Sequence, residues 1–492
     1  MQRAKYLAPM SIAVLVTALL FVVSSTPAAS QTIVETLPGY PGPLPFKLET
    51  GYIGVGENET VQLFYYFVES EGNPSTDPLL IGVPGGPGCS MVTALFFQIG
   101  PMRIQIGNYT DNVPTLEHDQ YAWSQIANVV YIDAPTLTGF SYTTTPEANR
   151  SSDTLSSAQL AEFTRKFVIA HPKFVENPMY IIGWSYAGIV LPMMTEKLYE
   201  GNDEGIEPIL NLKGYILANP LTDKSGDVNS RLKFFYSSGL ITEELYESTR
   251  KSCRGNYADA DSNNLRCMSN IDEVNKRISK INIQGTLDTN CYSTTNFVKS
   301  ASPHSERSQR SPNVNPIEMV TTKSVAADTD ITCMEDILAY AATWVNDESV
   351  KKALNVRKGT VETLTWCNPG MRFTYGETSM PLYEFNISTS VPYHKKLSNR
   401  NTRALVYSGD HDVLCPYIGT LDWINSLNLR VTDSNWDAWY FNGQTAGYKT
   451  SYARKKFSLT FATVKGAGHI PQLYKRGECY EMAKKWLADT PF

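Results

Sequence analysis

The sequence predicts an α/β fold: a central, mostly parallel β-sheet with helices on both faces and an inserted helical cap. Three observations predict it. Short apolar runs of strand length recur along the chain. Segments with helical spacing alternate with them, the pattern of crossover connections. The middle of the chain then changes character, becoming polar, helical and cysteine-bearing.

In chain order, Val61–Phe67 alternates and reads as a strand. Leu79–Val83 is a short apolar strand ending in a glycine-rich turn. Asn128–Ile132 and Met179–Ile182 read as buried strands, with a helix over Ser156–Ala170 between them and Ser/Asp caps before it. A second helix starts at Ala187. Leu212–Leu217, Ala404–Tyr407 and Leu459–Val464 are again strand-like. There are no internal repeats. These readings place a core at 30–222 and 348–492, with a helical cap at 223–347. Within the cap, about 298–320 is rich in Ser, Pro, Asn and Arg and reads as a linker. Lys299, Arg307 and Arg310 make it a protease target; an uncut surface loop is the alternative.

Charge excludes some functions. The 492 residues carry a net charge of −6 and no long basic run, which argues against nucleic-acid binding. The 28 Tyr and 8 Trp suit apolar pockets. At the N-terminus, Arg3 and Lys5 precede an apolar run from Ile12 to Val23 and then small residues. Residues 1–29 read as a signal peptide, with a signal anchor as the rival reading. The expected address is the secretory pathway, vacuole or otherwise extracellular, with no membrane attachment after cleavage. Asn58, Asn108, Asn149 and Asn386 begin glycosylation sequons. Eight cysteines follow the signal and none forms a C-x-x-C pair, so disulfides are expected rather than a metal.

Serine chemistry is the reading that unites the remaining motifs. Gly183-Trp184-Ser185-Tyr186-Ala187-Gly188 follows a strand and opens a helix. Such a turn projects a Ser hydroxyl at the sheet's edge, although Ala187 breaks the strict G-x-S-x-G form. A Ser needs a base. His469 sits among glycines after the last strand, and the other histidines are His118, His171, His304, His394 and His411. A base needs an orienting carboxylate, and either Asp410 or Asp412 follows a strand suitably. The order Ser…Asp…His is that of the α/β-hydrolases. Pro84-Gly85-Gly86-Pro87-Gly88 offers a backbone N–H for an oxyanion beside that of Tyr186, and no Lys-Ser/Thr follows to make it a phosphate loop.

Together these residues resemble a known family. Gly85-Gly86-Pro87-Gly88-Cys89-Ser90, Asp133-Ala134-Pro135 with Gly139-Phe140-Ser141-Tyr142, the Ser185 motif, Gly409-Asp410-His411-Asp412 and Gly468-His469-Ile470-Pro471 resemble the serine carboxypeptidases, in order. The resemblance runs from about Thr36 to the C-terminus and implies the α/β-hydrolase fold. It implies Ser185 as nucleophile, His469 as base, Asp412 as orienter, and Gly86 and Tyr186 as oxyanion donors, with no cofactor and no metal. It also implies the disulfides Cys89–Cys367, Cys253–Cys267 and Cys291–Cys333. The last would hold two chains together after linker excision, giving a disulfide-linked heterodimer, with Cys415 and Cys479 left over.

The departures concern the substrate. The resemblance implies a substrate site at Pro84, Gly85, Trp184 and Gln98. Family peptidases bind the free carboxylate of a peptide there through an Asn, a Glu before the Ser, and a further Glu. Here those positions are Pro84, Trp184 and Gln98, and Pro84 and Trp184 do not restore the lost hydrogen bonds. The pattern resembles instead the plant serine carboxypeptidase-like acyltransferases. That implies an acyl-glucose donor, a 1-O-β-glucose ester, and a hydroxylated plant metabolite as acceptor. A carboxypeptidase or esterase acting on peptides or esters is the alternative.

Overall fold

The computed structural model describes residues 31–288, 334–371, 382–433 and 436–492, with backbone alone at 334–336. Six strands pair in parallel at its centre. In spatial order they are β7 (Asn128–Ile132), β4 (Leu79–Val83), β10 (Met179–Trp184), β11 (Leu212–Ala218), β13 (Arg403–Gly409) and β17 (Phe457–Val464). Every expected strand is present, several extended by one or two residues.

The expected parallel centre is present, and antiparallel strands extend it on both sides into a mixed sheet. Beyond β7, β3 (Val61–Val68), β2 (Leu48–Val55) and β1 (Thr32–Val34) run antiparallel, and β8 (Tyr142–Thr143) pairs with β3. Beyond β17 lie β16 (Gln444–Arg454), β14 (Arg430–Val431) and β15 (Asp437–Phe441), again antiparallel. Two small pairs stand apart: the hairpin β5 (Met102–Thr110) with β6 (Val113–His118), and β9 (Ser151–Ser152) with β12 (Tyr383–Glu384). The unexpected strands β5 and β16 carry polar or half-exposed residues and lack the continuous apolar run of a strand buried on both faces.

Strand alternation divides the core into two layers. Tyr66, Leu80, Tyr131, Ile182, Ile216, Leu405 and Val464 point to one side. There they meet α1 (Val92–Phe97), α7 (Met334–Asn346), α8 (Glu348–Ala353) and α12 (Arg476–Leu487). Tyr65, Ile81, Val130, Ile181, Leu217, Val406 and Phe461 point to the other. There they meet α2 (Asp153–Ala170), α3 (Ala187–Asp203), α9 (Val391–Leu397) and α10 (Tyr417–Ser426). A short α11 (Pro471–Tyr474) leads into α12.

The cap is a third, smaller cluster. It is built by α4 (Lys224–Ser237), α5 (Glu243–Cys253) and α6 (Leu265–Ile278), which bury Phe234, Phe235, Ile271 and Val274. Each helix starts at a side-chain cap: Asp223, Thr242 and Asn264 accept from Gly226, Leu245 and Cys267 backbone N–H groups. The expected cap range of 223–347 is too long at its C-terminal end. Helix α7 packs Tyr340, Trp344 and Val345 into the sheet layer, and Trp344 Nε1 donates to Pro38 O at 2.7 Å. Its apolar stripe is wide enough to cover the sheet, so it joins the core.

The expected signal peptide, the linker about 298–320, and Cys291 and Cys333 lie outside the described residues. No helix among the described residues is long and apolar enough to cross a membrane.

Candidate active site

The site forms where β10, β11, β13 and β17 end. Ser185 follows β10 in a left-handed conformation, φ 54°, which a non-glycine residue adopts only under constraint. The constraint is visible. Ser185 N donates to Ala218 O at 3.0 Å, and Ser185 O accepts from the N–H groups of Gly188 and Leu221 at 2.9 Å each. The turn is tight: a Cβ on Gly183 would lie 2.6 Å from Ala187 Cβ. The glycine before the Ser therefore makes room for the alanine after it, which explains why Ala187 is tolerated in the motif.

Three strand ends converge on Ser185. Its Oγ lies 2.8 Å from His469 Nε2, and His469 Nδ1 lies 2.8 Å from Asp412 Oδ2. Asp412 is fully buried and His469 nearly so. Asp412 accepts further from Leu414 N at 2.8 Å, Cys415 N at 3.3 Å and Asn219 Nδ2 at 2.6 Å. Those donors fix the orientation of its carboxyl group. Asp410 points elsewhere. Its Oδ1 accepts from Gly466 N at 2.7 Å and lies 3.8 Å from His411 Nε2. The choice left open between the two aspartates is thus decided by geometry.

The other described histidines have separate partners: His118 with Glu71, His171 with Glu49, His394 with Tyr215 and His411 with Thr286. His304 lies outside the described residues.

The glycine-rich turn adjoins the Ser. A Cβ on Gly85 would lie 3.0 Å from Ser185 Cβ, and Gly86 takes φ 114°, open only to glycine at low cost. Tyr186 caps α3 directly after Ser185, and its hydroxyl donates to Asp153 Oδ1 at 2.6 Å. Disulfide Cys89–Cys367 ties the turn to the segment after α8, where Ser90 N donates to Trp366 O at 2.7 Å. Cys253–Cys267 closes the cap between α5 and α6. Cys415 and Cys479 are buried and unbridged. Asp412, Cys415 and His469 place ligand-type atoms within 4.8 Å of one another, but the bonds to Asn219 and Ser185 already engage two of the three.

The implied substrate positions are apolar in character. Trp184 is 5% exposed, and its Nε1 has no hydrogen-bond partner among the described residues. Pro84 and Gln98 are buried as well, and Gln98 Oε1 also lacks a described partner. Of the sequon asparagines, Asn58, Asn108 and Asn386 are exposed, while Asn149 is half-buried and accepts from Thr143.

Asn219, the role of Asp133 and a backbone strap escaped sequence reasoning. Asn219 stands at the end of β11, and a polar residue between an apolar strand and Pro220 was the signal that marked it. Asp133 accepts from Ser90 Oγ, Met91 N and Phe140 N at 2.7, 2.8 and 3.0 Å, joining two of the motifs. Burial pushes its carboxyl up to about 6. The third is a strap after the cap. Ile283 O accepts from Val413 N and Leu414 N, Gln284 O from His469 N, and Thr286 N donates to His411 O. No sequence motif marks that strap, because its bonds are backbone apart from Thr286 Oγ1 to His411 Nδ1 at 2.7 Å.

A hydroxyl, an imidazole and a buried carboxylate in this line can take a proton from the Ser and hold the imidazolium that results. Known proteins agree with the geometry. The serine carboxypeptidase family model matches residues 38–489. Serine carboxypeptidase-like 17 of Arabidopsis thaliana is 40% identical over 465 residues, covering 94% of each chain. Serine carboxypeptidase-like 19 of the same plant is 38% identical over 465 residues, covering 94% of this chain and 95% of its own. Among solved structures, Kex1(delta)p, a prohormone-processing carboxypeptidase from Saccharomyces cerevisiae, superposes with TM-score 0.67 at 16% identity, covering 93% of this chain and 95% of its own. It shares the fold. The chain therefore belongs to the serine carboxypeptidase family and has the α/β-hydrolase fold.

Proposed function

We propose that this chain is a serine acyltransferase that moves an acyl group, aromatic in the first instance, from a 1-O-β-glucose ester to a hydroxyl of a plant metabolite. Ser185 attacks the ester carbonyl while His469 takes its proton, and Asp412 holds the imidazolium. The N–H groups of Gly86 and Tyr186 receive the oxyanion. Glucose leaves with the proton from His469. The acceptor hydroxyl then gives its proton to His469 and takes the acyl group, and His469 returns that proton to the departing Ser185 Oγ.

One observation carries this reading over peptide hydrolysis. Beside Ser185, where a peptidase of the family would hold an acid, stands the buried indole of Trp184. With Pro84 offering no N–H, a terminal carboxylate would be buried there with little to pair it. An ester donor brings no such charge. Family membership favours hydrolysis as the second reading. We further place the chain in the secretory pathway, vacuolar rather than extracellular, with sugars on its sequons. Excision of the linker would leave two chains held by Cys291–Cys333; fragments seen only under reduction would support this.

The test is a paired turnover assay on the purified glycoprotein. One arm offers aromatic acyl-glucose donors with pooled hydroxylated plant metabolites, read by mass spectrometry. The other offers blocked dipeptides with a free C-terminus at acidic and neutral pH. New esters without peptide cleavage are expected. Cleavage without esters would overturn the proposal.

A further inference from the structure

Between α4, α5 and α10 the structure holds a cavity of about 620 Å³ whose lining contains none of the active-site residues. Its volume suits a small organic molecule. Its wall on α4 is a single stripe: Gly226, Asn229, Ser230 and Lys233 fall at i, i+3, i+4 and i+7. Asp227 and Arg231 occupy the neighbouring stripe, where Arg231 Nη2 donates to Leu414 O at 2.8 Å. The cavity and the Asp412 loop thus use different sides of one helix.

The charge of the lining is one-sided. Lys233, Arg250, Lys251 and Arg254 all face the cavity, with Asp422 as the only acid in its wall. Arg250 also meets Glu247 at 2.8 Å, outside that wall. Counting both acids, two positive charges stay uncompensated, in a chain whose net charge is −6. Like charges gathered in one concavity repel, and the cavity focuses their field toward an anion. Arg254 follows α5 in the left-handed conformation, φ 54°, one residue after the Cys253–Cys267 bridge. Tyr246 and Tyr257 add ring faces and hydroxyl groups.

We propose that this cavity binds a small organic anion carrying two or more negative charges, on carboxylate or phosphate groups, apart from the Ser185 centre. The guanidinium of Arg254 suits either group, and Lys233 and Lys251 supply charge from opposite walls.

Isothermal titration of the full glycoprotein tests it, with citrate and glucose 6-phosphate as separate probes at matched ionic strength. Saturable binding of at least one probe with a Kd below about 1 mM is expected. The probe that binds names the group preferred. Added sodium chloride should weaken it. The double variant Lys233→Met/Arg254→Asn should weaken it by about tenfold or more, and Asn suits the left-handed position of Arg254. If that variant misfolds, the single variant Lys251→Glu asks the same question at an exposed position. Ser185→Ala should bind as the parent does. No saturable binding of either probe, or binding indifferent to these charge changes, would overturn the proposal.

Discussion

Asn219 donates its side-chain N–H to Asp412 Oδ2 at 2.6 Å, the same oxygen that faces His469 Nδ1 at 2.8 Å. Its other side-chain atom, Oδ1, accepts from Gly409 N at 3.1 Å, and its own backbone N–H donates to Tyr407 O at 2.8 Å. One residue thus joins the ends of β11 and β13 and stabilises the buried carboxylate. Asn219→Leu should remove a buried hydrogen bond from the carboxylate that faces His469 and lower kcat by about tenfold. Steady-state kinetics check this; an unchanged kcat with only a lower Tm would reduce Asn219 to packing.

The two aspartates should separate cleanly. Asp412→Asn should cut kcat by about 10⁴-fold, because the His tautomer would reverse. Asp410→Asn should stay within about tenfold, since Asp410 supports the Gly466 turn and not His469. Ser185→Ala should lose about 10⁶-fold. Single-turnover kinetics on purified variants decide the order, and the reverse ranking of the aspartates would move the orienting role to Asp410.

Two buried acids shape the pH dependence of stability. Burial raises Asp133 to about 6 and Asp227 to about 7, from the ordinary 3.8. For Asp227, the backbone N–H groups of Thr222 and Asp223, then Arg231, pull the other way. An acid raised in the folded state keeps its proton there while the unfolded chain has lost it. Stability from each is therefore greatest below the ordinary value. It falls as pH rises from about 4 through about 6 for Asp133 and about 7 for Asp227. His394 opposes this: burial lowers it from 6.5 to about 3, so its part is lost as pH falls through that window. Two carboxyl groups outweigh one imidazole. In Asp227→Asn, which keeps the neutral shape, Tm relative to the parent should climb between about pH 4 and about pH 7. Parallel Tm curves would contradict the assignment.

The cap should be separable from the sheet in its stability. Cys253–Cys267 closes a loop with a sequence separation of 14 inside the cap cluster. Its loss in Cys253→Ala/Cys267→Ala should cost about 3 kcal/mol. Hydrogen exchange should quicken in α5 and α6 and stay unchanged in β10 and β13. Uniform quickening would mean that cap and sheet unfold as one unit.

Much of the molecule was legible in its residues. The parallel centre announces itself because each strand is buried on both faces and must be apolar throughout, as Asn128–Ile132 and Leu79–Val83 are. Ser185, His469 and the Asp410/Asp412 pair were legible because each follows such a strand. The outer antiparallel strands were not, since β5 and β16 carry polar or half-exposed residues and no continuous apolar run.

By itself, then, the sequence determined the central sheet and the residue types of the Ser-His-Asp line, and it sets Pro84 and Trp184 where the resemblance implies polar residues. These rest on local chemistry: apolar runs, turn residues and side-chain identity. The motif chemistry left Asp410 and Asp412 both open and the resemblance implied Asp412; only the tertiary structure sets Asp412 against His469 and Asn219 behind it. It also decided that α7 belongs to the sheet, that Ile283–Thr286 straps the loops, and that four cations gather around one cavity. Each of those depends on groups distant in the chain, brought within a few ångströms by packing, and no local pattern encodes such distances.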